Sequence, residues 1–106
     1  MADQARASHI LLMYAGSARS TANRSKDEAL EQINGLKAAI EGGADFGELA
    51  KEHSDCPSGQ EGGDLGWFSP GMMVPEFDDA VLGLGVGDNS DVVETAFGYH
   101  LIQRTG

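Results

Sequence analysis

Four side chains in this sequence are suited to chemistry near neutral pH: His9, His53, His100 and Cys56. Two of the histidines occupy matching places. His9 precedes Ile10-Leu11-Leu12 in SHILLM (8–13), and His100 stands between Tyr99 and Leu101-Ile102 in GYHLIQR (98–104). If these runs are neighbouring strands, the two imidazoles meet near the middle of a sheet. A neutral imidazole carries one donor and one acceptor, so two rings satisfy each other where a lone one is left desolvated. Ser8, Thr95 and Cys56 are candidates for the remaining valences. Spacing alone leaves open a structural pair that pins two strands, a polar functional cleft, and a thiol activated by imidazole as in Cys–His hydrolases. No oxyanion-hole motif or partner acid supports the hydrolase. A metal held by His53-x-x-Cys56 with His9 and His100 is the least supported, because no paired ligand motif accompanies it.

The elements that must position these groups follow from periodicity. Residues 6–14 (RASHILLMY) read as a buried strand, with His9, Leu11 and Met13 on one face and Ser8, Ile10 and Leu12 on the other. Ser25 and Glu28 have capping-box spacing, so a helix begins near Lys26, carries Leu30, Ile33, Leu36 and Ile40, and stops at Gly42-Gly43. Asp45 with Glu48 repeats the box ahead of a shorter helix ending near His53. After a turn-rich loop (54–64), Leu65–Ser69 reads as a strand and residues 76–82 as a third helix. Val92-Val93 and Tyr99–Gln103 are the closing strands. The order β-α-α-β-α-β-β predicts an α+β fold in a single domain over 1–106. Trp67, Phe68, Met72, Met73 and Phe77 supply core, and the methionines beside a glycine-rich loop also suit a shallow apolar pocket.

Charge narrows the partners. The net charge is −10, and the basic residues Arg6, Arg19, Arg24 and Lys26 gather in the first 26 positions. A mostly negative surface argues against nucleic acid and anionic lipid. The longest apolar run, Ile10–Met13, is far too short to span a bilayer. One cysteine allows no internal disulfide and fits a reducing compartment. The expectation is a soluble, cytoplasmic monomer.

Taken together, SHILL (8–12), FGELAKEHSDCPSG (46–59), GGDLGWFSPGMMVPEFDDAVLGLGVGD (62–88) and FGYHLI (97–102) resemble the parvulin family of peptidyl-prolyl cis-trans isomerases. The resemblance covers nearly the whole chain. It implies an FKBP-like four-stranded antiparallel sheet surrounded by helices, with the first and last strands central. It places His9 and His100 side by side on the floor of the active site and aligns Cys56 and Thr95 with the other polar catalytic positions. Leu65, Met73 and Phe77 fall on the proline pocket. Phe97 replaces a serine frequent in the family. The implied substrates are proline-containing peptides and protein clients, with no cofactor and no metal. Arg19, Arg24 and Lys26 lie in the loop that binds phosphate in one branch of the family, and Arg19 aligns best. Ala18 and Met13 stand where that branch is basic, so an acidic or neutral residue before proline is expected rather than a full phosphate clamp. A non-catalytic peptide-binding module is the alternative.

Overall fold

The computed structural model describes residues 4–17, 24–69 and 71–106. The chain runs β1 (Ala5–Leu12), α1 (Lys26–Glu41), α2 (Phe46–His53), a 3-10 turn (Pro57–Glu61), β2 (Asp64–Phe68), α3 (Pro75–Leu82), β3 (Val93–Thr95) and β4 (Gly98–Arg104). The strands form one antiparallel sheet in the order β2-β1-β4-β3. The expected order and the central placing of the first and last strands are both observed. The 3-10 turn, in a stretch that reads as plain loop, is an addition.

Alternation along β1 sorts its side chains between two layers. Ile10 and Leu12 pack with Ile33, Leu36 and Phe46 under α1 and α2. Ala5 and Ala7 face the other way, against Phe68, Phe77, Val81 and Ile102 under α3. His9 shares that second face, which is why it comes to lie beside α3.

Local chemistry fixes the helix ends. Ser25 accepts from the Glu28 backbone N–H while the Glu28 carboxylate accepts from the Ser25 N–H, a complete capping box. Asp45 accepts from Glu48 N–H, but the reciprocal contact is not among the described bonds, so α2 has half the expected box. The buried stripe of α1 is Ala29, Ile33 and Leu36; Leu30, expected on it, is exposed.

Two glycines let the strands approach. At Gly63 (φ +84°) an added Cβ would lie 2.3 Å from the His9 carbonyl oxygen, and at Gly98 (φ +142°) 2.3 Å from that of Leu12. No other residue tolerates both the backbone angle and the contact. Gly63 is also the partner of the His9 main chain, its carbonyl accepting the His9 N–H at 2.9 Å.

Candidate active site

β1 and β4 pair with His9 opposite Ile102 and Leu11 opposite His100. The histidines are therefore diagonal neighbours on one face, close enough for long side chains to touch. Their Nδ1 atoms are 3.2 Å apart, and the rings stack at 5.4 Å between centroids with 23° between planes. Phe77 of α3 presents its ring edgewise to both, at 5.7 Å from His9 and 6.0 Å from His100.

Each outer ring nitrogen meets a hydroxyl. Thr95, at the end of β3, lies 2.7 Å from His100 Nε2, and Ser58, in the 3-10 turn, lies 3.2 Å from His9 Nε2. The Ser58 hydroxyl is also 3.2 Å from Cys56 Sγ. The Phe97 backbone N–H donates to Thr95 Oγ1 at 3.2 Å. The result is an unbranched chain Thr95–His100–His9–Ser58–Cys56. Valence counting leaves two self-consistent proton orders for neutral rings. In one, Thr95 O–H donates to His100, His100 Nδ1–H to His9, His9 Nε2–H to Ser58, and Ser58 O–H to sulfur. The other is the exact reverse and needs a thiol proton to start it. A sulfur that only accepts selects the first.

Both rings are neutral at pH 7. Burial pulls His9 down to about 4. Burial, followed by repulsion from His9, pulls His100 down to about 3. With no carboxylate bonded to either ring among the described residues, the pair forms an uncharged polar floor.

Above this floor opens a cleft of about 360 Å³. It is lined by Leu11, Met13, Leu65, Met72, Met73, Val74, Phe77 and Phe97; His9, His100 and Cys56 are its only other lining residues among those described. Leu65, Met73 and Phe77, the expected ring pocket, all face it. Met72 lines it as well, whereas Trp67 of the same aromatic–methionine cluster points away and is 57% exposed. The Met72–Val74 wall is anchored from below, because the buried carboxylate of Asp78 in α3 accepts the Gly71 N–H at 2.6 Å.

The structure also sorts the other candidates. Ser8 is buried on the face away from the histidines and joins none of the described bonds of the chain. Ser58, which sequence reasoning missed, takes that part. The four possible ligands His9, His53, Cys56 and His100 do not converge: His53 ends α2 with its Nε2 3.5 Å from Glu52. No group of three His, Cys, Asp or Glu side chains suited to a metal occurs among the described residues. In the basic loop, Arg24 is engaged by Asp55 at 2.5 Å. Lys26 is paired with Glu94 at 2.9 Å and lies over the Tyr14 ring. Arg19 lies outside the described residues.

The comparisons with known proteins fit this arrangement. A model of the PPIC-type PPIase domain matches residues 1–106. The chain is 41% identical to a peptidyl-prolyl cis-trans isomerase Pin1 of Malus domestica, over 98% of its own length and 95% of the relative's. It is 46% identical to the foldase protein PrsA of Geobacillus kaustophilus over 94% of its length, where it spans 31% of the longer protein. Among solved structures, the peptidyl-prolyl isomerase ESS1 from Candida albicans superposes with a TM-score of 0.91 at 38% identity, covering 97% of this chain and 63% of that one. The match runs through every element that builds the cleft, and the chain belongs to the PPIC-type, or parvulin, family of peptidyl-prolyl cis-trans isomerases.

Proposed function

We propose that this isomerase turns X–Pro bonds by holding the prolyl ring in the apolar cleft and favouring the twisted amide over both planar forms, without a covalent intermediate. The single observation that carries the reading is the neutral His9–His100 pair directly beneath an apolar cleft. A planar peptide bond owes its barrier of about 18–20 kcal/mol to resonance that separates charge. An environment with little polarity supports that charge separation poorly, whereas the twisted amide, with its carbonyl and nitrogen uncoupled, gives up less on entering it. Binding energy from the ring is thus spent where the planar forms are disfavoured. A thousandfold acceleration of an exchange that otherwise takes tens to hundreds of seconds needs only ~4 kcal/mol of such discrimination.

In this reading Leu65, Met73 and Phe77 grip the ring. His9, His100, Thr95 and Cys56, with Ser58 as the missing link, form the polar side past which the carbonyl turns. Cys56 acts as the accepting end of the hydrogen-bond chain. On the residue before proline, the engagement of Arg24 and Lys26 and the presence of Met13, Met72 and Phe97 in the cleft favour the neutral half of the earlier expectation, and within it apolar side chains. We further take residues 1–106 as one catalytic unit working as a monomer on proline-containing segments of client proteins. The single cysteine fits a reducing, cytoplasmic setting, and no helix among the described residues is long and apolar enough to cross a membrane.

The test is exchange spectroscopy on short peptides with Leu, Glu, phosphoserine or Arg before proline. The reading expects cis/trans exchange to accelerate in every peptide and most with Leu. Binding without acceleration points to a peptide-holding module, and a phosphoserine optimum overturns the X-residue assignment.

A further inference from the structure

Arg24 has a second part to play. Its Nη1 donates to Asp55 Oδ2 and, at 2.9 Å, to the Met13 carbonyl. The same Asp55 oxygen accepts the Met13 N–H at 2.9 Å, and the Asp55 N–H donates to the Leu11 carbonyl at 2.7 Å. One residue earlier, Ser54 Oγ accepts the Leu11 N–H at 3.1 Å and the Cys56 N–H at 3.4 Å. The edge of β1 that β2 leaves free beyond Ser8 is thus completed first by Gly63 and then by residues 54–55. Arg24 itself stands next to Ser25, the cap of α1, and its carbonyl accepts the Ala15 N–H at 2.8 Å. One ion pair therefore gathers the end of β1, the start of α1 and the segment that leads into Cys56.

We infer that Arg24 and Asp55 form a latch that fixes the Cys56 segment against β1, so that Arg24 is a positioning residue of the isomerase and not a receptor for substrate anions. Both side chains are partly covered, 25% and 29% exposed, at the edge of the sheet. The guanidinium also serves two acceptors at once, which fixes its direction as well as its charge. Its reach to the chemistry is short. Asp55 precedes Cys56, and Cys56 Sγ must stay within hydrogen-bond distance of Ser58 for the chain to His9 to remain joined.

The inference rests on the part proposed for Cys56, and the two are separated by reading the thiol directly. Arg24→Ala, Arg24→Lys and Asp55→Asn are compared with the unaltered protein by thermal unfolding, by kcat and KM on Leu-Pro and Glu-Pro peptides, and by the rate at which Cys56 reacts with a thiol reagent. With the latch open, Cys56 reacts several-fold faster, and kcat falls roughly tenfold on both peptides with KM little changed. Arg24→Lys recovers part of both. Asp55→Asn, which keeps an oxygen for the Met13 N–H but loses the charge, moves both readouts in the direction of Arg24→Ala; it decides the matter if Arg24→Ala does not fold. The inference is overturned if Arg24→Ala raises KM for Glu-Pro alone, or if thiol reactivity is unchanged in the folded variants. Should Cys56→Ala itself be fully active, the role given to Cys56 fails while the thiol reactivity still reports on the latch.

Discussion

His9 Nε2 and Cys56 Sγ share one partner: the Ser58 hydroxyl, whose Oγ lies 3.2 Å from each. In the proposed mechanism the thiol reaches the imidazole pair through this hydroxyl, so Ser58 is the link that joins the two ends of the chain.

Ser58→Ala cuts that link. His9 Nε2 loses its partner in a partly buried place, and kcat is expected to fall roughly tenfold, the equivalent of ~1.4 kcal/mol. KM changes little, since the ring pocket is untouched, and the unfolding temperature falls by several degrees because the His9 N–H is left unpaired. Imidazole nitrogen NMR checks the cause: His9 Nε2 shifts while the contact between His100 and Thr95 persists.

Replacements of Cys56 distinguish an accepting sulfur from a nucleophilic one. A carboxylate can accept from Ser58 but is a poor covalent catalyst here. Cys56→Asp is expected to keep more than about a tenth of the kcat, Cys56→Ser an intermediate share, and Cys56→Ala the least. Loss of all activity in Cys56→Asp, with activity surviving in Cys56→Ser, contradicts the accepting role. Rates from exchange spectroscopy decide it.

Gly63→Ala tests the backbone that seats His9. The new methyl group meets the His9 carbonyl oxygen at 2.3 Å from a φ of +84°. Stability drops by at least about 2 kcal/mol, measured by denaturant unfolding. Gly71→Ala is the control: its φ is also positive, but its Cβ meets nothing within 4 Å, so it shows the cost of the angle alone.

Stability depends on pH with a definite sign. Burial lowers His9 to about 4 and, with repulsion from His9, His100 to about 3 in the folded protein, against an ordinary histidine near 6.5. Between those values the unfolded chain holds more protons, so stability rises with pH through this window and levels off above about 7. The held carboxylates of Glu28, Asp64, Asp91 and Glu94 also have lowered values and act in the same sense at lower pH. The loss between pH 7 and pH 5 lies above the carboxylate range, and the denaturation midpoint should fall across it. Full protonation of His9 alone costs on the order of 3 kcal/mol. The slope shrinks in His9→Gln.

Much of this was legible from period and punctuation. The alternation in SHILLM put His9, Leu11 and Met13 on one face, where the cleft has them, and the Ser25–Glu28 spacing located α1. The resemblance to parvulins supplied the neighbouring of β1 and β4, which alternation alone cannot give. Ser58 was hidden because its place depends on the 3-10 turn that folds Pro57–Glu61 back toward β1, in a stretch whose glycines, serines and proline read simply as loop. The Arg24–Asp55 pair was hidden for another reason. Its members are 31 positions apart, and no local pattern tells a loop arginine bound to its own chain from one held out to a ligand. Leu30 was misplaced because Ala29, a weaker hydrophobic signal, took the buried position one step away.

The central claim is that a neutral imidazole pair works beneath an apolar cleft, and the pH profile of kcat/KM on a Leu-Pro peptide tests it most directly. The account predicts a flat profile from pH 8 to about 5, falling only as the pH approaches 4, where His9 begins to charge. A fall centred near pH 6.5, or a rate that climbs steadily toward alkaline pH as a thiolate forms, contradicts it.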